Sequence, residues 1–272
     1  MHKVMLSVVL GAIVLSGGCR FDPLTGEEAR EALEESSVAS QAAALVGASV
    51  EVSTDFTIGD AVERAAEQVR GFVQSQLPCA EIELSRATLA IAYGARPGNC
   101  TFNGHTFEGT HTITVERNEE RDVVVQHQWD GLSNGVIEVS GDATVTWSLA
   151  SRSRHIEHEL TWTRLSDGRM GVGGGDRTQT ALEGGLLEGI EVDGTRTWDG
   201  QSGHWELDID EVELRWDDPV PSDGEWTLET PFDKTISLSF ERIDEVTIGV
   251  TITGGQRTVE FQVGRLGAVS RR

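Results

Sequence analysis

The sequence carries little positive charge. Its 272 residues include 22 Lys and Arg against 45 Asp and Glu, which gives a formal net charge of −23 at pH 7. A surface of this kind repels phosphate backbones, so we expect no nucleic-acid partner. Carboxylates at this density attract cations, but the sequence contains no EF-hand or calcium-binding repeat. We therefore predict no metal site and no cofactor.

Cysteine and long apolar runs are also scarce. The apolar run Val4–Leu15 is about a dozen residues long, too short for a transmembrane helix but typical of a secretory signal. Of the three cysteines, Cys19 follows this run, whereas Cys79 and Cys100 lie in the body of the chain. In an oxidising compartment these two would form a disulfide that stabilises the fold by roughly 3 kcal/mol. Two buried free thiols are the alternative.

The end of the apolar run resembles the lipobox of bacterial lipoproteins. Small residues precede the cysteine in Leu15-Ser16-Gly17-Gly18-Cys19, with the leucine one position further from it than usual. The resemblance implies that residues 1–18 are removed as a signal peptide and that Cys19 then carries acyl chains such as palmitate. Arg20 follows the cysteine, which by the enterobacterial sorting rule favours the outer membrane. An ordinary cleaved signal is the alternative.

Two segments after Cys19 have helical character. Residues 19–50 are rich in Glu, Ala and Ser with a thin apolar stripe, and they predict either a disordered tether or a marginal helix. Thr57–Leu77 predicts a firmer helix, because Thr57 and Asp60 approximate a capping box and Pro78 follows its end. Its Val and Phe stripe should pack on the sheet.

From about Glu81 onwards, apolar and polar residues alternate, as in antiparallel strands with one dry face. Glycine-rich turns separate these runs and predict roughly ten to twelve strands without crossover helices. Within His204–Trp216 the apolar positions change phase, which predicts a β-bulge near Asp210-Glu211. The predicted fold is mainly β: a large curved antiparallel meander, open barrel or sandwich-like, with one packed N-terminal helix in a single domain over 51–272.

A tryptophan pattern recurs within the meander. Trp-Asp-Gly-x-Ser begins at Trp129 and at Trp198, each copy leads to a second tryptophan, and Trp162 begins a partial third copy. Tryptophan, a glycine turn and another alternating run are typical of β-hairpins, so we predict that Trp129 and Trp147 share the dry face. Some tryptophans could instead line a cleft for an apolar or sugar ligand. The candidates are Trp129, Trp147, Trp162 and Trp216.

Two motifs are similar to catalytic signatures. Ser133 lies in a G-x-S-x-G sequence, but a nucleophile elbow joins a strand to a helix, whereas strand sequence follows here. We therefore predict a hairpin turn and rank a serine hydrolase third among the functions. His155 and His158 lie in a strand and point to opposite faces, so they should not share a metal ion. No catalytic residue is predicted.

The chain resembles a group of uncharacterised envelope lipoproteins of myxobacteria and their relatives. The resemblance covers the signal and lipobox, the helix ending at Pro78-Cys79, the turn Pro97-Gly98-Asn99-Cys100 and the Leu-Ser-Asx-Gly turns. It implies a location but no activity. We therefore predict a lipid-anchored, non-enzymatic structural or binding module that contacts the membrane through its lipid and binds an envelope protein or an apolar ligand. The alternative is a carrier that holds a lipid or other apolar ligand between sheet and helix.

Overall fold

The computed structural model describes most of the chain from residue 25 onwards. The described residues are 25–52, 61–102, 104–148, 150–185, 188–215, 218, 220–255, 257–264 and 269–271. The predicted signal peptide, Cys19, Thr57 and Trp216 lie outside them.

Two helices are followed by strands. The helices are α1 (Gly26–Val52) and α2 (Val62–Gln76). The strands within the described residues are β1 (Glu81–Ser85), β2 (Thr88–Tyr93), β3 (Thr101–Phe102), β4 (His105–Thr106), β5 (Glu108–Arg117), β6 (Val123–Ser133), β7 (Ile137–Ser148), β8 (Ser153–Arg164), β9 (Met170–Ala181), β10 (Gly189–Gly200), β11 (Gly203–Arg215), β12 (Asp223–Thr230), β13 (Lys234–Asp244), β14 (Thr247–Gly254), β15 (Arg257–Gly264) and β16 (Val269–Arg271).

The strands form one antiparallel meander, which confirms the predicted fold class. Fourteen of the described strands follow one another in chain order across a single sheet, and only the short β3–β4 hairpin stands apart. The sheet is open, because β1 and β16 lie at opposite edges and do not pair with each other. Trp129 and Trp147 lie on the same face, as predicted, since Trp147 pairs with Val123, which has the same phase as Trp129 on β6.

α2 packs on the face that carries Trp129, which we call the core face. Its buried side chains are Ala65, Ala66, Val69 and Val73. The helix begins at Val62, because Ala61 is extended (φ −62°, ψ 148°) and provides no side-chain cap. Of the predicted helix Thr57–Leu77, Val62–Gln76 is helical and Ala61 and Leu77 are its caps, whereas 57–60 lie outside the described residues. Cys79 and Cys100 are joined in the predicted disulfide, with their Cα atoms 5.4 Å apart, and tie the end of α2 to the β2–β3 connection.

α1 is a helix that belongs to the folded domain. It buries one side in the same core as α2 and the sheet. That side contains small residues such as Ala39 and Ala42, together with Leu45. Arg169, in the β8–β9 connection, donates hydrogen bonds to Glu31 at 2.8 Å, to Glu34 at 3.2 Å and to Glu35. Of the two predicted alternatives for this segment, the helix is observed, and its acidic residues have partners far along the chain.

The predicted bulge lies in β11. Between Ile209 and Val212, β11 has one residue more than β10 on one side and β12 on the other. Glu211 has a positive φ of 47°, and its backbone N–H donates to Asp193 Oδ1 at 2.9 Å. The extra residue changes the phase of β11, so Val212 returns to the core face, where it is buried.

Candidate functional site

Ser133 lies in the hairpin between β6 and β7, as its strand-to-strand context predicted. Its side chain is buried, and its Oγ accepts a hydrogen bond from the backbone N–H of Gly135 at 3.1 Å. Asn134 completes the turn by accepting the N–H of Val136 and that of Ile137. The serine therefore stabilises a turn and is not presented to a substrate.

His155 and His158 point to opposite faces of β8. His155 Nε2 lies 2.5 Å from Asp176 Oδ1 at the exposed surface. His158 is buried on the core face, and burial together with the charges of Arg177 and Arg196 lowers its pKa to about 3. Among the described residues, no three His, Cys, Asp or Glu side chains are grouped as metal ligands.

The described tryptophans named as possible ligand contacts serve mainly in packing. Trp129 is 2% exposed and stacks on His111 and His127, with ring centroids 5.3 and 5.6 Å away. Trp162 is 5% exposed. Trp147 is half-buried, and the guanidinium of Arg154 lies 5.1 Å from its ring centroid. Neither Trp129 nor Trp162 faces an open cleft.

A buried polar chain lies beneath the helices. Tyr93 Oη is 3.1 Å from His111 Nδ1, and His111 Nε2 is 3.0 Å from His127 Nδ1. Burial lowers the pKa of both histidines, that of His127 to about 3, so both imidazoles are neutral at pH 7. Two hydrogen bonds join the three neutral groups, and the Nε2 atom of His127, at the end of the chain, is buried without a partner among the described residues.

Two arginines occupy core-face positions in the middle of the sheet. Arg177 on β9 pairs with Gly194, and Arg196 on β10 pairs with Gly175. The Nε atoms of both are buried without a hydrogen-bond acceptor in the described part of the chain. Arg196 Nη2 donates to the backbone carbonyl of Ala39 at 3.2 Å. Neither arginine takes part in an ion pair between described residues that would neutralise its charge.

Burial lowers the pKa of each arginine to about 10. For Arg177, repulsion from Arg196 and Arg154 adds to the effect of burial. Both guanidinium groups still carry their charge at pH 7, because this value lies well above neutrality. Like charges brought together away from water are unfavourable, and an anion between them would relieve that cost.

Beyond the arginines, the core face is apolar. The row that contains Arg177 and Gly194 continues across the sheet through Ile209, Trp226, Leu238, Ile252 and Val259. We call these five residues the apolar strip. All five are half-buried. α1 and α2 pack principally on β1, β2, β5, β7 and β8, whereas the strip lies on β11 to β15.

Sequence reasoning missed the arginine pair, although a signal was present. Arg196 stands in the inward phase of β10, between Gly194 and Trp198, where an apolar residue is expected. A charged residue in the dry phase of a strand is a marker of function or of a buried partner. The glycines of β9 leave too few apolar residues to show which positions face the core, so the pattern provides no comparable indication for Arg177.

The opposite face has acidic depressions. An open depression of about 480 Å³ lies over Gly174 and Gly175, with carboxylates from Asp142, Glu157 and Asp176 at its walls. These side chains point to solvent and form no metal-ligand cluster among the described residues. We therefore interpret the depression as part of a strongly acidic surface.

Comparison with known proteins found no matching family model, curated protein or solved structure. Neither described helix is both long and apolar enough to cross a membrane.

Proposed function

We propose that this protein is a lipid-anchored, non-enzymatic envelope protein whose sheet is a binding module for an apolar ligand. The observation that supports a binding role is the apolar strip, a continuous row of half-buried side chains on β11 to β15. Apolar surface left in contact with water is unfavourable, and an apolar ligand that covered it would gain that free energy.

The position of the strip favours this proposal over the alternative hypothesis, a carrier that holds its ligand between the sheet and a helix. Side chains of α1, α2 and β1 to β8 already fill the space between the helices and the sheet, and Leu45, Val69 and Val125 are fully buried there. The ligand therefore belongs on the other half of the core face, beside α1. A hydrolase is a weaker proposal, because Ser133 Oγ is engaged in its own turn.

The test uses the full chain carrying Cys19→Ser, so that no acyl anchor competes for the site. We expect the neutral dye N-phenyl-1-naphthylamine to bind with enhanced fluorescence. Leu238→Gln should weaken this binding by roughly tenfold, because it replaces an apolar side chain in the middle of the strip. The matched control is Val172→Gln, at an exposed position on the opposite face.

Equal dye affinity in the Leu238 and Val172 variants would contradict the proposal, as would a lack of dye binding to the parent protein. Circular dichroism and a thermal melt of each variant show whether it retains the fold.

A further inference from the structure

We infer that the Arg177–Arg196 pair binds the anionic headgroup of a single-chain amphiphile whose acyl chain lies along the apolar strip. This inference rests on the proposed function and specifies the chemical class of its ligand. Arg177 and the apolar strip lie in one row of the sheet, and Arg196 lies in the next row.

The charge of the site points to an anion. Arg177 and Arg196 stand at diagonal positions on the paired strands β9 and β10, and burial together with the charge of Arg196 lowers the pKa of Arg177. The Nε of each has no acceptor among the described residues. His158, which faces them from β8, is neutral at pH 7 and leaves the positive charge of the pair unchanged. Arg154, which neighbours Arg177 on the core face, binds Glu51 and Gln179, so the carboxylate of Glu51 is engaged with a third arginine.

The carboxylates of this acidic chain are placed elsewhere. Glu31, Glu34 and Glu35 of α1 bind Arg169 at the end of the helix near the β8–β9 connection. Asp176 and Asp193 follow the opposite phase of β9 and β10 and lie on the other face of the sheet. The protein has a large excess of negative charge, yet none of these groups neutralises the pair. A ligand carboxylate or phosphate would supply the missing partner in the fork geometry that guanidinium favours.

The row that contains Arg177 gives the direction in which the acyl chain of the ligand would lie. Gly194 follows Arg177 and has no side chain, so no side chain of β10 stands between the arginine and Ile209 in this row. From Ile209 the row passes through Trp226 and Leu238 to Ile252. Four neighbouring strands at about 4.8 Å spacing make a path of roughly 14 Å, comparable with an acyl chain of twelve or more carbons.

The strip is narrow. Phe240 and Val250, in the row on one side of it, are buried. In the row on the other side Leu228 is buried, whereas Leu207 and Ile236 are half-buried. A narrow apolar surface beside a cationic pair fits a single-chain amphiphile better than a two-chain lipid.

The chain's own proposed anchor would not fit this description. Acyl groups on Cys19 would be joined through a thioether-linked glycerol and would carry no anionic group for the arginines. The Cys19→Ser chain removes that source, so any binding it shows comes from added ligand.

The test measures dodecanoate and 1-dodecanol binding to the Cys19→Ser chain by displacement of N-phenyl-1-naphthylamine. Both ligands have the same chain length, and only the carboxylate distinguishes them. We expect dodecanoate to bind at least about tenfold more tightly than dodecanol. Arg177→Gln and Arg196→Gln should each remove most of that preference and leave dodecanol affinity unchanged.

Arg70→Gln is the charge-matched control, because it removes one positive charge at an exposed site on α2, which packs on β1, β2 and β5. It should retain the full preference for dodecanoate. If dodecanoate and dodecanol bind equally, or if Arg70→Gln weakens dodecanoate as much as the two core-face variants do, the headgroup inference is wrong and the apolar binding proposal stands. If neither the dye nor either ligand binds, both proposals are wrong.

Discussion

At the residue scale, the buried histidines make the stability of the protein depend on pH. His111, His127 and His158 lie on the core face, and burial lowers the pKa of each, to about 3 for His127 and His158. In an unfolded chain the same imidazoles bind a proton as the pH falls through about 6.5. Between these two values the unfolded state holds more protons, so a falling pH favours unfolding.

We therefore expect the free energy of unfolding to decrease as the pH is lowered from 7 to 5. Each histidine contributes at most about 1.4 kcal/mol per pH unit in this window. Urea unfolding at several pH values measures the slope, and His158→Gln should make it smaller. His204→Gln, at an exposed position, serves as the control. A slope that is the same in wild type and in the His158 variant would show that His158 is not held neutral.

At the scale of elements, one arginine binds three carboxylates of α1 and holds the first half of the helix against the sheet. Arg169 binds Glu31, Glu34 and Glu35, and Glu35 is almost completely buried. Glu35 also accepts the backbone N–H of Gln201, in the β10–β11 turn, at 3.3 Å. These bonds join α1 to two hairpin turns at once. The helix consequently does not depend on its thin apolar stripe alone.

Removal of that arginine should loosen the helix. Arg169→Met leaves the carboxylate of Glu35 buried without its cation, which we expect to lower the free energy of unfolding by about 3 kcal/mol. Urea unfolding measures the loss. Arg164→Met is the control, because Arg164 binds Asp167 at an exposed site and such pairs contribute at most about 1 kcal/mol. Similar losses in the two variants would mean that the buried cluster has no special role.

At the scale of the whole molecule, the open sheet has two unlike halves. The half from β1 to β8 is covered by α1 and α2, and the half from β11 to β15 has a smaller apolar cluster around Phe240, Val250 and Val263. Arg177 and Arg196 lie between these halves, at the side of α1. The proposed ligand would therefore lie beside the part of the core that α1 and α2 cover.

The proposed anchor is tested by fractionation of lysed cells. With Cys19 lipidated, the protein should sediment with membranes and require detergent for release. Cys19→Ser should move it to the fraction that is released without detergent, whereas Cys79→Ser with Cys100→Ser should leave it on the membrane. If Cys19→Ser sediments like the wild type, the anchoring proposal is wrong.

The meander and the bulge could be predicted from the sequence alone, because each has a local cause. Alternation with period two is visible in any strand with one dry face, and the phase change at Asp210-Glu211 is a direct sign of an extra residue. The hairpin at Ser133 was likewise predictable from the strands on either side of it. Local patterns suffice wherever a neighbour in the chain is also the neighbour in the fold.

The state of α1 and the position of the arginine pair depend on contacts between residues that are far apart in the sequence. The partners of Glu31 and Glu35 are more than a hundred residues away, so local propensity left the choice between helix and tether open. Arg177 and Arg196 come together because β9 and β10 pair in a register that sets each opposite a glycine. Their meeting with the apolar strip depends on pairings accumulated across several strands, and no single stretch of sequence contains that information.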